Sequence, residues 1–129
     1  MKAVFAILIA AAPLGACAHY VNAPIVDTGP VHAQGPVGFG QAVQVGNVVI
    51  TPIELIEDSR CPINARCVWA GRLVIDARID GPGWRETVPL ELGTPRNVRG
   101  VTITLTSGEP GKLTEAETPK SAYRFDFNG

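Results

Sequence analysis

The chain has 129 residues, a net charge of −1 and only 18% charged residues. This length suits one domain, and the near-neutral charge excludes the basic surface on which nucleic-acid binding depends. Glycine (14 residues) and proline (11 residues) are abundant, which favours short strands joined by turns over long helices.

Residues 1–16 have the pattern of a signal peptide. Lys2 precedes an uninterrupted apolar run from Ala3 to Ala12. The run is too short to span a bilayer permanently but has the length of a signal-peptide hydrophobic region. We therefore expect export and removal of this segment.

The cleavage site has two interpretations. Residues 14–17 (Leu-Gly-Ala-Cys) resemble a lipobox, the sequence at which bacterial lipoproteins are cut before a cysteine that carries diacylglycerol. This resemblance implies a lipid on Cys17, the membrane as a partner through that lipid, and, since Ala18 follows, the periplasmic face of the outer membrane of a Gram-negative cell. The small residues around Cys17 also permit ordinary cleavage before His19, which gives a soluble periplasmic or secreted protein.

Residues 17–38 are predicted to form a flexible tether behind the lipidated cysteine. Beyond Cys17 this segment carries three prolines and three glycines and shows no alternation of apolar and polar residues, a composition typical of extended linkers. Both histidines, His19 and His32, lie in it. A single domain over residues 39–129 therefore has no histidine, which removes the base of a Ser-His-Asp or Cys-His site and the usual zinc or copper ligand unless the tether folds back.

The first part of this domain is rich in β-branched residues. Residues 43–56 contain four valines and three isoleucines. Gly46-Asn47 and Pro52 interrupt the run, so it predicts two short strands or one bulged edge strand.

The middle of the chain predicts an antiparallel hairpin. Residues 72–79 and 84–92 alternate between apolar and polar positions and flank a turn at residues 80–83 (Asp-Gly-Pro-Gly). Pro89 lacks an amide donor, which suggests that the second strand lies at a sheet edge.

The last third contains two further strands. Residues 93–100 read as a loop, residues 101–106 as a strand that alternates apolar residues with threonine, and residues 107–121 as a polar loop with one helical turn near 113–117. Residues 123–127 close the chain as a strand with three aromatic residues on one face. The whole pattern predicts an all-β fold, a small antiparallel β-sandwich or open barrel of five to seven short strands.

Cys61 and Cys67 are expected to form a disulfide because an exported domain matures in an oxidising compartment. Closing so small a loop stabilises the fold by about 2–2.5 kcal/mol in the chain-entropy model. Pro62 stiffens the loop, and Trp69 is expected to pack on the disulfide or under the sheet as a structural anchor.

The sequence around these cysteines resembles a protein family. Residues 57–62 (Glu-Asp-Ser-Arg-Cys-Pro), four further residues and then 67–71 (Cys-Val-Trp-Ala-Gly) are similar to a signature of small proteobacterial secreted proteins and lipoproteins that have no established activity. The ending Tyr-Arg-Phe at 123–125 is similar too. The resemblance implies an exported β domain with one disulfide, and it adds no catalytic residue.

The cysteine loop is also the candidate binding site. Arg60 and Arg66 flank a stiff loop that presents Ile63 and Asn64, and Asp58 stands at its entrance. A rigid loop binds well because little ordering is needed on association. The alternative is that the two arginines form salt bridges with neighbouring carboxylates and only support the fold.

These residues favour a non-catalytic binding or structural module of the cell envelope, with an envelope protein as a candidate partner. Two alternatives are a protease inhibitor that inserts Arg60 or Arg66 into a protease, and a periplasmic hydrolase that uses carboxylates alone. Glu54, Glu57 and Asp58 form an acidic cluster, but their spacing matches no calcium loop. We expect no cofactor and no metal.

Overall fold

The computed structural model describes residues 24–25, 29–112 and 116–129. The predicted signal peptide, the lipidation site Cys17 and the alternative cleavage site before His19 lie outside the described residues, as does most of the helical turn expected near 113–117. No helix among the described residues is long and apolar enough to cross a membrane.

The part of the chain that the structure describes contains eight strands in two sheets. A five-stranded sheet runs β1-β2-β3-β4-β5 and a three-stranded sheet runs β6-β7-β8, and they do not close into a barrel. The all-β prediction is confirmed, with more strands than expected because β1 and β6 are pairings of only two and three residues. The strands are β1 (Val31–His32), β2 (Ala42–Val45), β3 (Val48–Asp58), β4 (Leu73–Gly81), β5 (Trp84–Glu91), β6 (Arg96–Val98), β7 (Val101–Glu109) and β8 (Arg124–Asn128), with a 3₁₀ turn at Lys120–Ala122.

The first predicted strand region forms the β2–β3 hairpin. Gly46 and Asn47 make its turn, and Gly46 has the positive φ of 58° that such turns favour. β3 lies between β2 and β4, so the edge position considered for this region is wrong. Pro52 is accommodated because the pairing with β4 shifts register between Pro52 and Glu54, and a bulge tolerates a missing amide donor.

The predicted hairpin of the middle of the chain is confirmed as β4–β5. Gly81 pairs with Trp84 across a two-residue turn, and β5 lies at the edge of its sheet as Pro89 indicated. One face of β4 is buried throughout, as alternation requires; its inward residues are Leu73, Ile75, Ala77 and Ile79.

The core lies between the two sheets and ends in an aromatic cluster. Tyr123 and Phe125 stack with ring centroids 5.7 Å apart, and Phe39 meets both edge-on at 5.8 and 5.0 Å. Tyr123 and Phe125 are buried, which confirms that the aromatic residues of the last strand face inward. This cluster brings the Tyr123 hydroxyl close to the end of β3.

Part of the segment predicted as a tether packs against the domain. Val37 is fully buried, and its backbone exchanges hydrogen bonds of 3.0 and 2.8 Å with Phe125. Val31 and His32 pair in parallel with β2. The packed structure therefore starts before Phe39, because a single buried valine with a paired backbone outweighs the flexible composition around it.

Candidate functional site

The cysteine loop is the tip of the β3–β4 hairpin. Beyond the last strand pair, the Ser59 amide donates to the Arg72 carbonyl at 2.9 Å and the Cys61 amide to the Ala70 carbonyl at 3.1 Å. Cys61 and Cys67 form the predicted disulfide, with Cα atoms 5.8 Å apart. We refer to residues 61–70 as the loop tip.

Gly71 allows the two chains of this hairpin to approach closely. Its φ is +67°, and a Cβ at this position would overlap the carbonyl oxygen of Ser59. Only glycine meets both conditions, since other residues rarely adopt positive φ and carry the clashing atom. Gly71 is thus part of the loop architecture.

The loop tip is also tied to the chain that follows β7. The Ile63 amide donates to the Lys112 carbonyl at 2.8 Å, and the Lys112 ammonium Nζ donates to the Asp58 carbonyl at 2.6 Å. These bonds join the hairpin of one sheet to a segment leaving the other. The loop is therefore held from two sides as well as by its disulfide.

Beneath the loop tip, Asp58 is the centre of a hydrogen-bond network. Arg60 binds its carboxylate in a fork, Nε to Oδ1 at 2.8 Å and Nη2 to Oδ2 at 3.0 Å. The Tyr123 hydroxyl donates to the same Oδ2 at 2.6 Å. The side chains of Asp58 and Arg60 are only 7% and 16% exposed, so the pair is largely removed from water and its bonds are strong.

The rest of the Arg60 guanidinium binds the second sheet. Nη1 donates to the Gly108 carbonyl at 2.6 Å and Nη2 to the Pro110 carbonyl at 3.1 Å. Gly108 lies in β7 and Pro110 follows it. Arg60 is thus a cross-link between the hairpin and the end of β7, which is the fold-supporting role considered from the sequence.

Electrostatics keep Asp58 ionised and Tyr123 protonated. Burial alone would raise the pKa of the Asp58 carboxyl, but hydrogen bonds from Arg60 and Tyr123 outweigh burial and hold that pKa below its usual range. Burial and the neighbouring carboxylate raise the pKa of the Tyr123 hydroxyl. Near neutral pH the arrangement binds the sheets together and is not set up to exchange a proton.

Glu57, the neighbour of Asp58, forms a separate exposed pair. Arg72 Nε donates to Glu57 Oε2 at 2.7 Å and Ser59 Oγ donates to the same oxygen at 3.1 Å. These hydrogen bonds lower the pKa of the Glu57 carboxyl. Among the described residues no group of three or more histidine, cysteine, aspartate or glutamate side chains is placed to hold a metal ion.

The outward face of the loop is apolar. Ile63 is 75% exposed, Val68 91% and Trp69 81%. The expected packing of Trp69 on the disulfide or under the sheet is wrong. The end of the hairpin is anchored by hydrogen bonds of Arg60 and Tyr123 instead of by the indole.

The structure divides the predicted binding loop into two groups. Asp58 and Arg60 point inward and support the loop, whereas Ile63, Asn64 and Arg66 are exposed on it. Val68 and Trp69 belong to the exposed surface, which the sequence reading did not assign to binding. Residues 67–71 show no alternation of apolar and polar side chains, so the sequence carried no signal for the direction of either residue.

A second buried carboxylate lies on the outer face of the five-stranded sheet. Asp80 is fully buried and forms ion pairs with Arg78 and Arg85. Beside it is a cavity of about 260 Å³ that is also lined by Thr51. The carboxylates of Asp58 and Asp80 are thus each engaged by arginine side chains.

Searches with this chain matched no protein-family model, no curated protein and no solved structure.

Proposed function

We propose that this protein is an exported, envelope-tethered, non-catalytic binding module that recognises its partner through the loop tip. The observation that carries the proposal is the exposure of three large apolar side chains, Ile63, Val68 and Trp69, on one disulfide-bridged hairpin end. Exposed apolar clusters of this kind mark interaction sites in soluble domains. Tryptophan and arginine, here Trp69 and Arg66, are the residue types most enriched at binding hot spots.

The anchoring of the loop supports the same function. The disulfide, the hairpin bonds and the Asp58–Arg60–Tyr123 network restrain the backbone before any partner arrives. A loop that is already ordered loses little conformational entropy on association. We therefore interpret the polar network as the base of a rigid recognition element.

The cellular setting rests on the N-terminal sequence. The apolar run after Lys2 and the lipobox-like residues before Cys17 support an outer-membrane lipoprotein facing the periplasm, with a soluble periplasmic or secreted form as the alternative. The disulfide is compatible with this compartment. A Cys17→Ser variant should lose fatty-acid labelling and membrane fractionation, and unchanged labelling would refute lipidation.

Protease inhibition remains a second candidate because Arg66 is exposed on a covalently closed loop. Arg60 is a poor candidate for insertion because its guanidinium is committed to Asp58 and two carbonyls. Stoichiometric inhibition of a trypsin-like protease that Arg66→Ala abolishes would support this role, with Arg99→Ala, at an exposed arginine outside the loop tip, as the control that should retain it. A carboxylate-only hydrolase is less favoured, since Asp58 and Asp80 are both engaged by arginines.

A pulldown from envelope extract tests the binding proposal. The full chain should retain a partner that a Val68→Ser, Trp69→Ala variant loses, because the two exposed side chains form the contact. Ile56→Ser is the matched control, since Ile56 is a half-exposed hydrophobic residue on β3 away from the loop tip. Equal capture by all three proteins would contradict the proposal.

A further inference from the structure

The apolar side chains of the loop tip protrude and do not line a depression. Val68 is 91% exposed, Trp69 81% and Ile63 75%, so neighbouring residues cover at most a quarter of each. A protein partner would need a cavity shaped to receive this protrusion. A fluid phase needs no such complementarity and can surround the side chains on every side.

The loop tip carries positive charge only. Arg66 is the single ionisable side chain among residues 61–70 apart from the bridged cysteines, whereas the whole chain has a net charge of −1. Arg66 is exposed on the same loop as Trp69. Apolar residues accompanied by a cation, with no carboxylate among them, complement the interface of an anionic bilayer.

The backbone of the loop tip is partly prepared for a less polar medium. The amides of Cys61, Ile63 and Ala65 donate to the carbonyls of Ala70, Lys112 and Pro62. Pro62 has no amide hydrogen to satisfy. These internal bonds lower the cost of moving the loop out of bulk water, since unpaired donors lose hydrogen bonds there.

We propose that the occupant of the loop tip is the interfacial region of an anionic lipid bilayer. Trp69 and Val68 enter the headgroup–acyl boundary, where the indole ring has an apolar body and a polar N–H to place. Arg66 remains at the level of the phosphates. This inference rests on the proposed binding role of the loop, and it adds a membrane contact that is independent of any lipid on Cys17.

The test uses the fluorescence of Trp69 alone. The full chain carries Cys17→Ser, to remove any acyl chain, and Trp84→Phe, to leave Trp69 as its only tryptophan. Vesicles of phosphatidylglycerol and phosphatidylcholine should shift the emission of Trp69 to shorter wavelength. Lipids brominated near the headgroup end of the acyl chain should quench it.

Substitutions then separate the contributions of the loop. Val68→Ser should weaken vesicle binding about tenfold, because removing an apolar side chain of this size from water raises a binding constant by that factor or more. Arg66→Gln should weaken binding to anionic vesicles about fivefold and leave binding to pure phosphatidylcholine unchanged. Ile56→Ser, outside the loop tip, should bind like the parent.

The outcomes distinguish this inference from the function on which it rests. Quenching of Trp69 by brominated lipid together with the loss on Val68→Ser supports the membrane contact. Unquenched Trp69 with loop-dependent capture of an envelope protein overturns the membrane contact and leaves the binding module standing. If the protein shows neither vesicle binding nor loop-dependent capture, both the membrane contact and the binding module are overturned.

Discussion

Replacing Asp58 by asparagine tests whether its carboxylate holds the loop tip to the second sheet. The carboxylate accepts two hydrogen bonds from Arg60 and one from Tyr123. The asparagine amide keeps the shape but loses the charge and at least one acceptor. Arg60 then remains largely buried with its bonds to the Gly108 and Pro110 carbonyls and at most one bond to the remaining amide oxygen, and its charge is no longer paired.

The magnitude follows from the number and burial of these bonds. A hydrogen bond to a charged group contributes about 1.5–3 kcal/mol, and removing one partner of a fully buried pair costs about 3–5 kcal/mol. Because the three bonds share one carboxylate they do not add, and Arg60 retains some contact with water. We expect a loss of about 2–4 kcal/mol of a total of about 5–15 kcal/mol.

Urea unfolding followed by circular dichroism measures this loss, with Tyr123→Phe as the partner variant. Tyr123→Phe keeps the buried ring and removes one bond, so about 1–2 kcal/mol should be lost. The double variant should lose less than the sum of the single variants, because both remove the same Tyr123–Asp58 bond. A loss below about 0.5 kcal/mol for Asp58→Asn, or strict additivity in the double variant, would refute the reasoning.

The remaining predictions concern pH, the loop glycine and the disulfide. Because the pKa of the Asp58 carboxyl is lowered on folding, its contribution to the free energy of unfolding is complete above about pH 4 and is lost as the pH falls through the folded-state pKa. The free energy of unfolding of Asp58→Asn should therefore fall less steeply at acid pH than that of the parent protein. The pKa of the Tyr123 hydroxyl is raised, so its contribution to the free energy of unfolding is complete below about pH 10 and is lost as the pH rises further. Tyr123→Phe should reduce this loss of stability at alkaline pH. In the same urea assay, Gly71→Ala should lower the free energy of unfolding by at least about 2 kcal/mol. Gly83 is the control, because it has a similar φ of +73° but nothing within 4 Å of the added carbon. Gly83→Ala should therefore cost only about 1 kcal/mol. Replacing both bridged cysteines by serine should cost about 2–2.5 kcal/mol, and no change in the unfolding midpoint would argue against the bridge.

The fold could be predicted from the sequence wherever a strand buries one face. Alternation over residues 72–79 and 84–92 located the β4–β5 hairpin and the buried face of each strand, because successive side chains of a strand point to opposite faces. The pairing of Val37 with Phe125 could not be foreseen in the same way. A single buried residue among glycine and proline leaves no periodic signal.

The candidate site was only partly accessible, since local sequence does not say where long-range partners lie. The loop itself was evident from its two cysteines, and the pairing of Arg60 with Asp58 was one of the two readings considered. The contribution of Tyr123, 65 residues along the chain from Asp58, depends on where the chain entering β8 lies relative to the end of β3. Trp69 was misplaced because its hydrophobicity predicts burial, whereas hydrogen bonds of Arg60 and Tyr123 anchor this end of the hairpin and the indole is exposed.

The exposure of Trp69 is the claim on which the binding surface depends, and quenching of its fluorescence tests that claim most directly. In the free Trp84→Phe protein, acrylamide should quench Trp69 nearly as efficiently as it quenches a tryptophan in an unstructured peptide, with emission at the long wavelength of a hydrated indole. Weak quenching and short-wavelength emission in the absence of any partner would show a buried indole and contradict the account.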